Sequence, residues 1–245
     1  GDAIRWLAEK YQGMQLPKSA MTATASKDPL AFLDALGSDQ AQAYLTEKRG
    51  FKHAKELCQS FHIASDQRRV YFPHYGLKEG RYTVTDYQAR TLDPLADHKH
   101  RFTRSEGLPT SIYDNFQALT MKREGLNLIA IVEGEIDSLS LFELKADAPE
   151  DLKSLEPIAL SGVGMNLLEE TLEGIEEKDR KDYGFILALD NDEAGKKASL
   201  SAQAILDKLG FRYTTKSFYS TYKDANERLQ KDREEMLKDL SQIVA

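Results

Sequence analysis

Cysteine is almost absent from this chain: one residue in 245, Cys58. A lone thiol cannot close an internal disulfide, so stability must come from a buried core, and the usage fits a cytoplasmic protein. Cys58 itself falls in the helical-looking stretch Ala54-Lys55-Glu56-Leu57-Cys58 and is expected to be a small buried hydrophobe. Long apolar runs are missing as well. No run approaches the roughly 18 residues needed to cross a bilayer, and no charged-then-apolar signal opens the chain, so a membrane is not an expected partner. Internal repeats and low-complexity tracts are also lacking, and histidine is absent from the second half, all five lying in residues 1–125.

What is present is 41% apolar residues over a length that can bury one large core or two modest ones. A change of pattern near residue 125 favours two. The net charge of −7 hides an asymmetry: residues 1–125 hold 18 Lys+Arg against 15 Asp+Glu, and residues 126–245 hold 15 against 25. Affinity for a polyanion is therefore expected in the first half, while the acidic half needs cations before phosphate can approach.

Gly1 to Tyr11 has helical spacing, and Gln12 to Asp28 reads as a polar linker. Helical periodicity resumes over Pro29 to Leu36 and over Ala41 to Lys48, stopping at Gly50. Two strand-like runs, Val70 to Pro73 and Tyr82 to Tyr87, are joined across Lys78-Glu79-Gly80 in hairpin fashion. From Asn127 strands alternate with helices. Strands are expected at 128–132, 157–160, 185–189 and 211–218, and helices at about 136–145, 166–176, 193–208 and 223–239. This alternation argues for an α/β unit with a mostly parallel sheet. Gly162 and Gly164 close the second strand, where small residues admit a close backbone or ligand.

Two acidic blocks carry the chemistry. Val132-Glu133-Gly134-Glu135-Ile136-Asp137 follows the apolar run Leu128 to Val132, and about fifty residues later Asp190-Asn191-Asp192-Glu193-Ala194-Gly195-Lys196 follows Phe185 to Leu189. Residues just past the carboxyl ends of parallel strands line the ligand crevice of an open sheet, so the two blocks are expected to converge. Gathered hard oxygen ligands suit Mg²⁺ or Mn²⁺ rather than zinc. An exposed acid capping the next helix remains the alternative for Glu133 taken alone.

The pairing of Glu133 with Asp190 and Asp192 resembles the TOPRIM domain of bacterial primases, topoisomerases and some nucleases, over roughly residues 125–230. The N-terminal half narrows this to primases of the DnaG type, whose basic subdomain is similar to Tyr44-Leu45-Thr46-Glu47-Lys48-Arg49-Gly50, to the pair Phe72-Pro73-His74-Tyr75 and Val84 to Arg90, and to His98-Lys99-His100-Arg101-Phe102-Thr103-Arg104. Ile112-Tyr113-Asp114 resembles the lead-in to the TOPRIM strand of those enzymes. The opening Gly1-Asp2-Ala3-Ile4 resembles the last turn of a primase zinc ribbon. A single cysteine leaves no ribbon here, so zinc is expected only in a module absent from this chain, a catalytic-core fragment or a phage or mobile-element relative.

The resemblance implies a mixed α+β primase subdomain at 29–124 after an N-terminal helix and linker at 1–28, a Rossmann-like TOPRIM domain at 125–222, and a C-terminal helix at 223–245. It implies RNA primer synthesis on single-stranded DNA from ribonucleoside triphosphates, with a replicative helicase as partner. Glu133, Asp190 and Asp192 would be catalytic and metal-holding, with Asp224 a further ligand and Asp137 and Asn226 behind them. Asn226 stands where the primases carry an acid. Lys48, Arg49, Arg90, Lys99, His100, Arg101, Arg104 and Lys196 would meet nucleic acid or nucleotide, cations reading phosphate and an aromatic stacking on a base. A TOPRIM nuclease or topoisomerase-like breaker, or a non-catalytic DNA-binding module, are the alternatives.

Overall fold

The computed structural model describes residues 30–78, 81–96, 102–104, 108, 110–114, 118–119, 125–149, 152, 154–162, 164–215, 219 and 221–244. They belong to two compact units, divided at Ser111/Ile112. The expected helix and linker at 1–28 lie outside the described residues.

The first unit is an antiparallel sheet with helices. After a short 3-10 turn at Leu33–Ala35 come α1 (Asp39–Arg49) and α2 (Ala54–Phe61), then β1 (Ala64–Ser65), β2 (Arg69–Lys78), β3 (Arg81–Thr91) and β4 (Phe102–Arg104), in the spatial order β1-β2-β3-β4. The helical spacing of Pro29 to Leu36 thus yields only that turn. Gly50 ends α1 at φ 71°, its N–H donating to the carbonyls of Leu45 and Thr46, a conformation that glycine adopts without penalty. The Ala41 N–H donates to Ser65 Oγ at 3.0 Å and ties α1 to β1. The register of the long β2–β3 hairpin slips after His74, which faces Asp86, to Tyr75, which faces Val84. Thr85 is the extra residue of the bulge, and its side chain folds over Gly76, where a Cβ would stand 3.1 Å from Thr85 Oγ1. Phe32, Tyr71 and Tyr87 pack edge to face, with centroids 5.4 to 5.6 Å apart.

The second unit is a four-stranded, all-parallel sheet: β5 (Asn127–Val132), β6 (Leu155–Ala159), β7 (Tyr183–Leu187) and β8 (Arg212–Thr214) in the order β6-β5-β7-β8. Between and after them run α3 (Glu135–Lys145), α4 (Met165–Glu173), α5 (Glu193–Leu209), α6 (Ala225–Lys231) and α7 (Arg233–Val244). β6 and β7 are buried at every position; β7 is accordingly a continuous apolar run, whereas β6 carries the buried Glu156. Ile129, Ile131, Phe185 and Leu187 meet Leu168, Leu172 and Leu206 in the core.

The division into units falls at Ile112 and not at residue 125. Tyr113 exchanges backbone hydrogen bonds with Ala159 at 2.9 and 3.0 Å, and Ile112 joins the core under the parallel sheet. The segment from 223 onward belongs to the same unit, and its single expected helix is two, broken at Asp232.

Helix α3 is buried nearly all round, including charged residues. Lys145, 2% exposed, reaches Glu156 at 3.5 Å, and Arg233 holds the buried Glu143 at 2.8 Å, so the charges that burial would otherwise expel are paired. Among the described residues no helix is long and apolar enough to cross a membrane.

Candidate active site

After β5 the chain passes to β6 on one side of it, and the later strand β7 lies on the other side. The direction of strand order therefore reverses between β5 and β7, and in open α/β sheets the ligand crevice opens outside the carboxyl ends of the strands at such a point. Glu133 directly follows β5, and Asp190 follows β7 by three residues. The fold thus brings the two acidic blocks together at the place the sheet topology favours.

Local chemistry fixes each carboxylate. The Glu133 carbonyl accepts from the Ser161 N–H at 2.8 Å, so the end of β5 is tied to the turn that contains Gly162. Asp192 caps α5, its Oδ1 accepting from the Gly195 N–H at 2.9 Å and leaving Oδ2 free of that bond. Gly195 is required by close approach: a Cβ there would lie 2.0 Å from the Asp190 carbonyl oxygen. Asp224 caps α6 in the same way, accepting from the Glu227 N–H at 2.7 Å.

Between these groups sits Lys223. Its Nζ is 2.8 Å from Asp190 Oδ2 and 3.8 Å from Asp192 Oδ2. The main chain here is pinned from both sides. The Asn191 N–H donates to the Lys223 carbonyl at 2.6 Å, and the Lys223 N–H donates to Glu227 Oε2 at 2.8 Å.

The electrostatics follow from crowding. Burial, then the charges of Asp190 and Asp192, hold the Glu133 carboxyl above its ordinary range. Asp190 is also raised, by burial, against the lowering effect of its bond to Lys223. Asp137 is raised well above the usual value by burial and by the charges of Asp224 and Asp190. Asp192, open to water and capping a helix, is lowered by the Gly195 N–H. Bonded to Asp190, Lys223 is pushed up.

An all-carboxylate donor set of this kind suits a hard divalent ion, and mutual repulsion among the carboxylates is what such an ion would relieve. Glu133, Asp190, Asp192 and Asp224 are the residues that fit it. Among the described residues no three acids already converge as a coordination sphere; Asp190 and Asp192 converge instead on an ammonium.

The residues expected behind the carboxylates divide. Asp137 accepts from the Asn226 N–H at 3.3 Å, and Asn226, 2% exposed, donates from Nδ2 to Ser140 Oγ at 3.0 Å. In the structure Asn226 is a buried clasp between α6 and α3, which accounts for an amide at a position where an acid would carry an uncompensated charge.

Of the expected cationic residues, three gather in the first unit. Arg49 Nε donates to Tyr44 Oη at 2.6 Å, and the Arg49 and Arg90 guanidinium groups lie 5.2 and 5.9 Å from the Tyr44 ring centre. Lys48 and Arg90 line the same hollow, of about 340 Å³. Lys99, His100 and Arg101 lie outside the described residues. The Arg104 backbone pairs with Gln88 at the end of β4. Lys196 is exposed and paired with Glu193 at 3.3 Å, and it borders a cleft of about 330 Å³ with Asn191, Ser199 and Gln203.

Sequence reasoning missed Lys223, Asn191 and Gly195. A glycine in the first turn of a helix, where no positive φ is needed, was the available signal for Gly195; Lys223 offered only its place beside Asp224.

Comparison with known proteins agrees with this geometry. The Toprim-like family model matches residues 130–229. A search of curated proteins finds no match to the sequence. Among solved structures, the zinc-binding and RNA polymerase domains of the Aquifex aeolicus primase align over 99% of this chain and 70% of that one, at 19% identity and a TM-score of 0.60. The RNA polymerase domain of Mycobacterium tuberculosis primase DnaG aligns over 87% of this chain and 81% of that one, at 15% identity and a TM-score of 0.54. The second unit therefore carries a Toprim-like domain, and the chain has the fold of primase RNA polymerase domains.

Proposed function

We propose that this chain, whose fold is that of primase RNA polymerase domains, is a primase catalytic core that builds short RNA primers on single-stranded DNA from ribonucleoside triphosphates. The observation that carries the reading is the acidic centre: Glu133 and Asp190 stand at the carboxyl ends of the two strands that flank the switch point, with Asp192 and Asp224 close enough to raise the Glu133 pKa. A binding module for nucleic acid has no use for clustered acids that repel phosphate.

Joining a 3′-hydroxyl to an α-phosphate builds charge on the attacking and leaving oxygens, and bound Mg²⁺ or Mn²⁺ supplies the positive charge that stabilises both. The protein supplies position. Asp190 is fixed by the first turn of α5 packed on its carbonyl, Asp192 by the cap it makes on α5, and Asp224 by the cap it makes on α6. Glu133, raised by burial and then by its charged neighbours, is suited to bind an ion when charged and to hold a proton at its carboxyl when it is not. In the first unit, Lys48, Arg49 and Arg90 gather around the buried Tyr44 ring, beside Glu47 and Asp93 in the same hollow, and these cations fit contact with the phosphates of a single strand. A replicative helicase is the expected partner.

The test is incubation of the full chain with single-stranded DNA, labelled ribonucleotides and Mg²⁺ or Mn²⁺. Short labelled RNA products support the reading. Shortened template with no labelled product would assign the centre to strand cleavage instead.

A further inference from the structure

We infer that the Lys223 ammonium is a built-in counter-cation: it holds the carboxylates of Asp190 and Asp192, two of the residues that would hold a divalent ion, and such an ion would have to displace it. The inference rests on the reading of this centre as a divalent-ion site and adds how that site is held and opened.

Lys223 Nζ lies 2.8 Å from Asp190 Oδ2 and 3.8 Å from Asp192 Oδ2. A divalent ion held by those two carboxylates would compete with the ammonium for the same oxygens. The anchoring of Lys223 does not involve its side chain. Its N–H donates to Glu227 Oε2, its carbonyl accepts from the Asn191 N–H, and Asn191 Nδ2 donates to the neighbouring Tyr222 carbonyl at 3.4 Å. The ammonium can therefore leave while the loop stays in register with the Asp190-Asn191-Asp192 turn. It also has a route out, since the Lys223 side chain is 55% exposed while that of Asp190 is 9% exposed.

The charges explain why a counter-cation is wanted. Glu133, Asp190, Asp192 and Asp224 act on one another electrostatically, and their like charges repel. A tethered ammonium offsets part of that repulsion in the ion-free protein. Being univalent and partly solvated, it yields to a divalent ion that all the carboxylates attract more strongly.

The experiment measures Mn²⁺ binding to the full chain, without nucleotide or DNA, from the free-ion electron paramagnetic resonance signal and by calorimetry. Wild type is compared with Lys223→Met and Lys223→Arg. Removing the competing charge should tighten Mn²⁺ by about tenfold in Lys223→Met, while Lys223→Arg, which keeps a cation there, should bind no more tightly than wild type. In chelator, Lys223→Met should melt below wild type, and saturating Mn²⁺ should close the gap. Equal affinity in wild type and Lys223→Met would overturn the inference while leaving the metal site in place. Absence of Mn²⁺ binding in all three proteins would overturn the metal reading and the inference with it. A second measurement needs no variant to fold: the ion-paired Lys223 ammonium of the wild type should give a resolved ¹⁵N–¹H signal in chelator that disappears on saturation with diamagnetic Mg²⁺. Its persistence unchanged at saturating Mg²⁺ would equally refute displacement.

Discussion

Gly195→Ala separates two physical effects that predict opposite signs. On helix propensity alone, alanine in the first turn of α5 stabilises by about 0.5–1 kcal/mol. The structure predicts the reverse. The added Cβ would stand 2.0 Å from the Asp190 carbonyl oxygen, 2.7 Å from its carbonyl carbon and 2.9 Å from its Cα. All three atoms are backbone, so no rotamer change relieves the overlap, and either α5 or the Asp190 turn must move by about 1 Å. Overpacking of a closed site costs about 1–3 kcal/mol, and a backbone clash belongs at the upper end. Net of propensity, the loss is about 2 kcal/mol. Urea denaturation followed by far-UV circular dichroism reads it as a lower midpoint at unchanged slope. Because the displaced atoms carry Asp190, the same variant should bind Mn²⁺ more weakly. A midpoint equal to or above wild type would refute the close packing of α5 on Asp190.

Two further outcomes follow from the titrating groups. The raised Glu133 and Asp190 carboxyls bind protons more tightly folded than unfolded, so in chelator their contribution to stability is lost as pH rises from the ordinary carboxylate range, about 4, through their raised values. Glu133→Gln should therefore gain melting temperature over wild type with increasing pH, and parallel pH profiles would contradict the crowding. Cys58 is 2% exposed and burial pushes its thiol up to about 12, so the native protein should resist iodoacetamide at neutral pH and react only once unfolded; alkylation of the native chain within minutes would show the thiol to be reachable.

The parallel sheet could be read from the chain because strands covered on both faces tend to be apolar, as residues 128–132 of β5 and all of β7 are. Their ends could not. β7 stops at Leu187 rather than at 189, because Asn191 turns away to bond Lys223 and the first turn of α5 folds back on Asp190, contacts between residues distant in sequence. Glu133 and the Asp190–Asp192 pair stood out since each block follows an apolar run; the lysine among them did not, because its partner Asp190 lies in another loop. The burial of Lys145 and Glu143 in α3 was equally hidden, since a charged helix reads as exposed until Glu156 and Arg233 are brought to it. In the first unit, the grouping of Arg49 and Arg90 on Tyr44 depends on β3 lying beside α1, which no periodicity records.

Asp190 and Asp192 form the heart of the proposed nucleotidyl-transfer centre, and primer synthesis by wild type, Asp190→Asn and Asp192→Asn on one single-stranded template tests that role most directly. Asparagine keeps the size of each side chain and, at 192, an oxygen to accept the Gly195 N–H that starts α5, so both variants should fold with wild-type circular dichroism. Labelled RNA product should appear with wild type and fall to background with either variant. Product within about twofold of wild type from either correctly folded variant would contradict the claim.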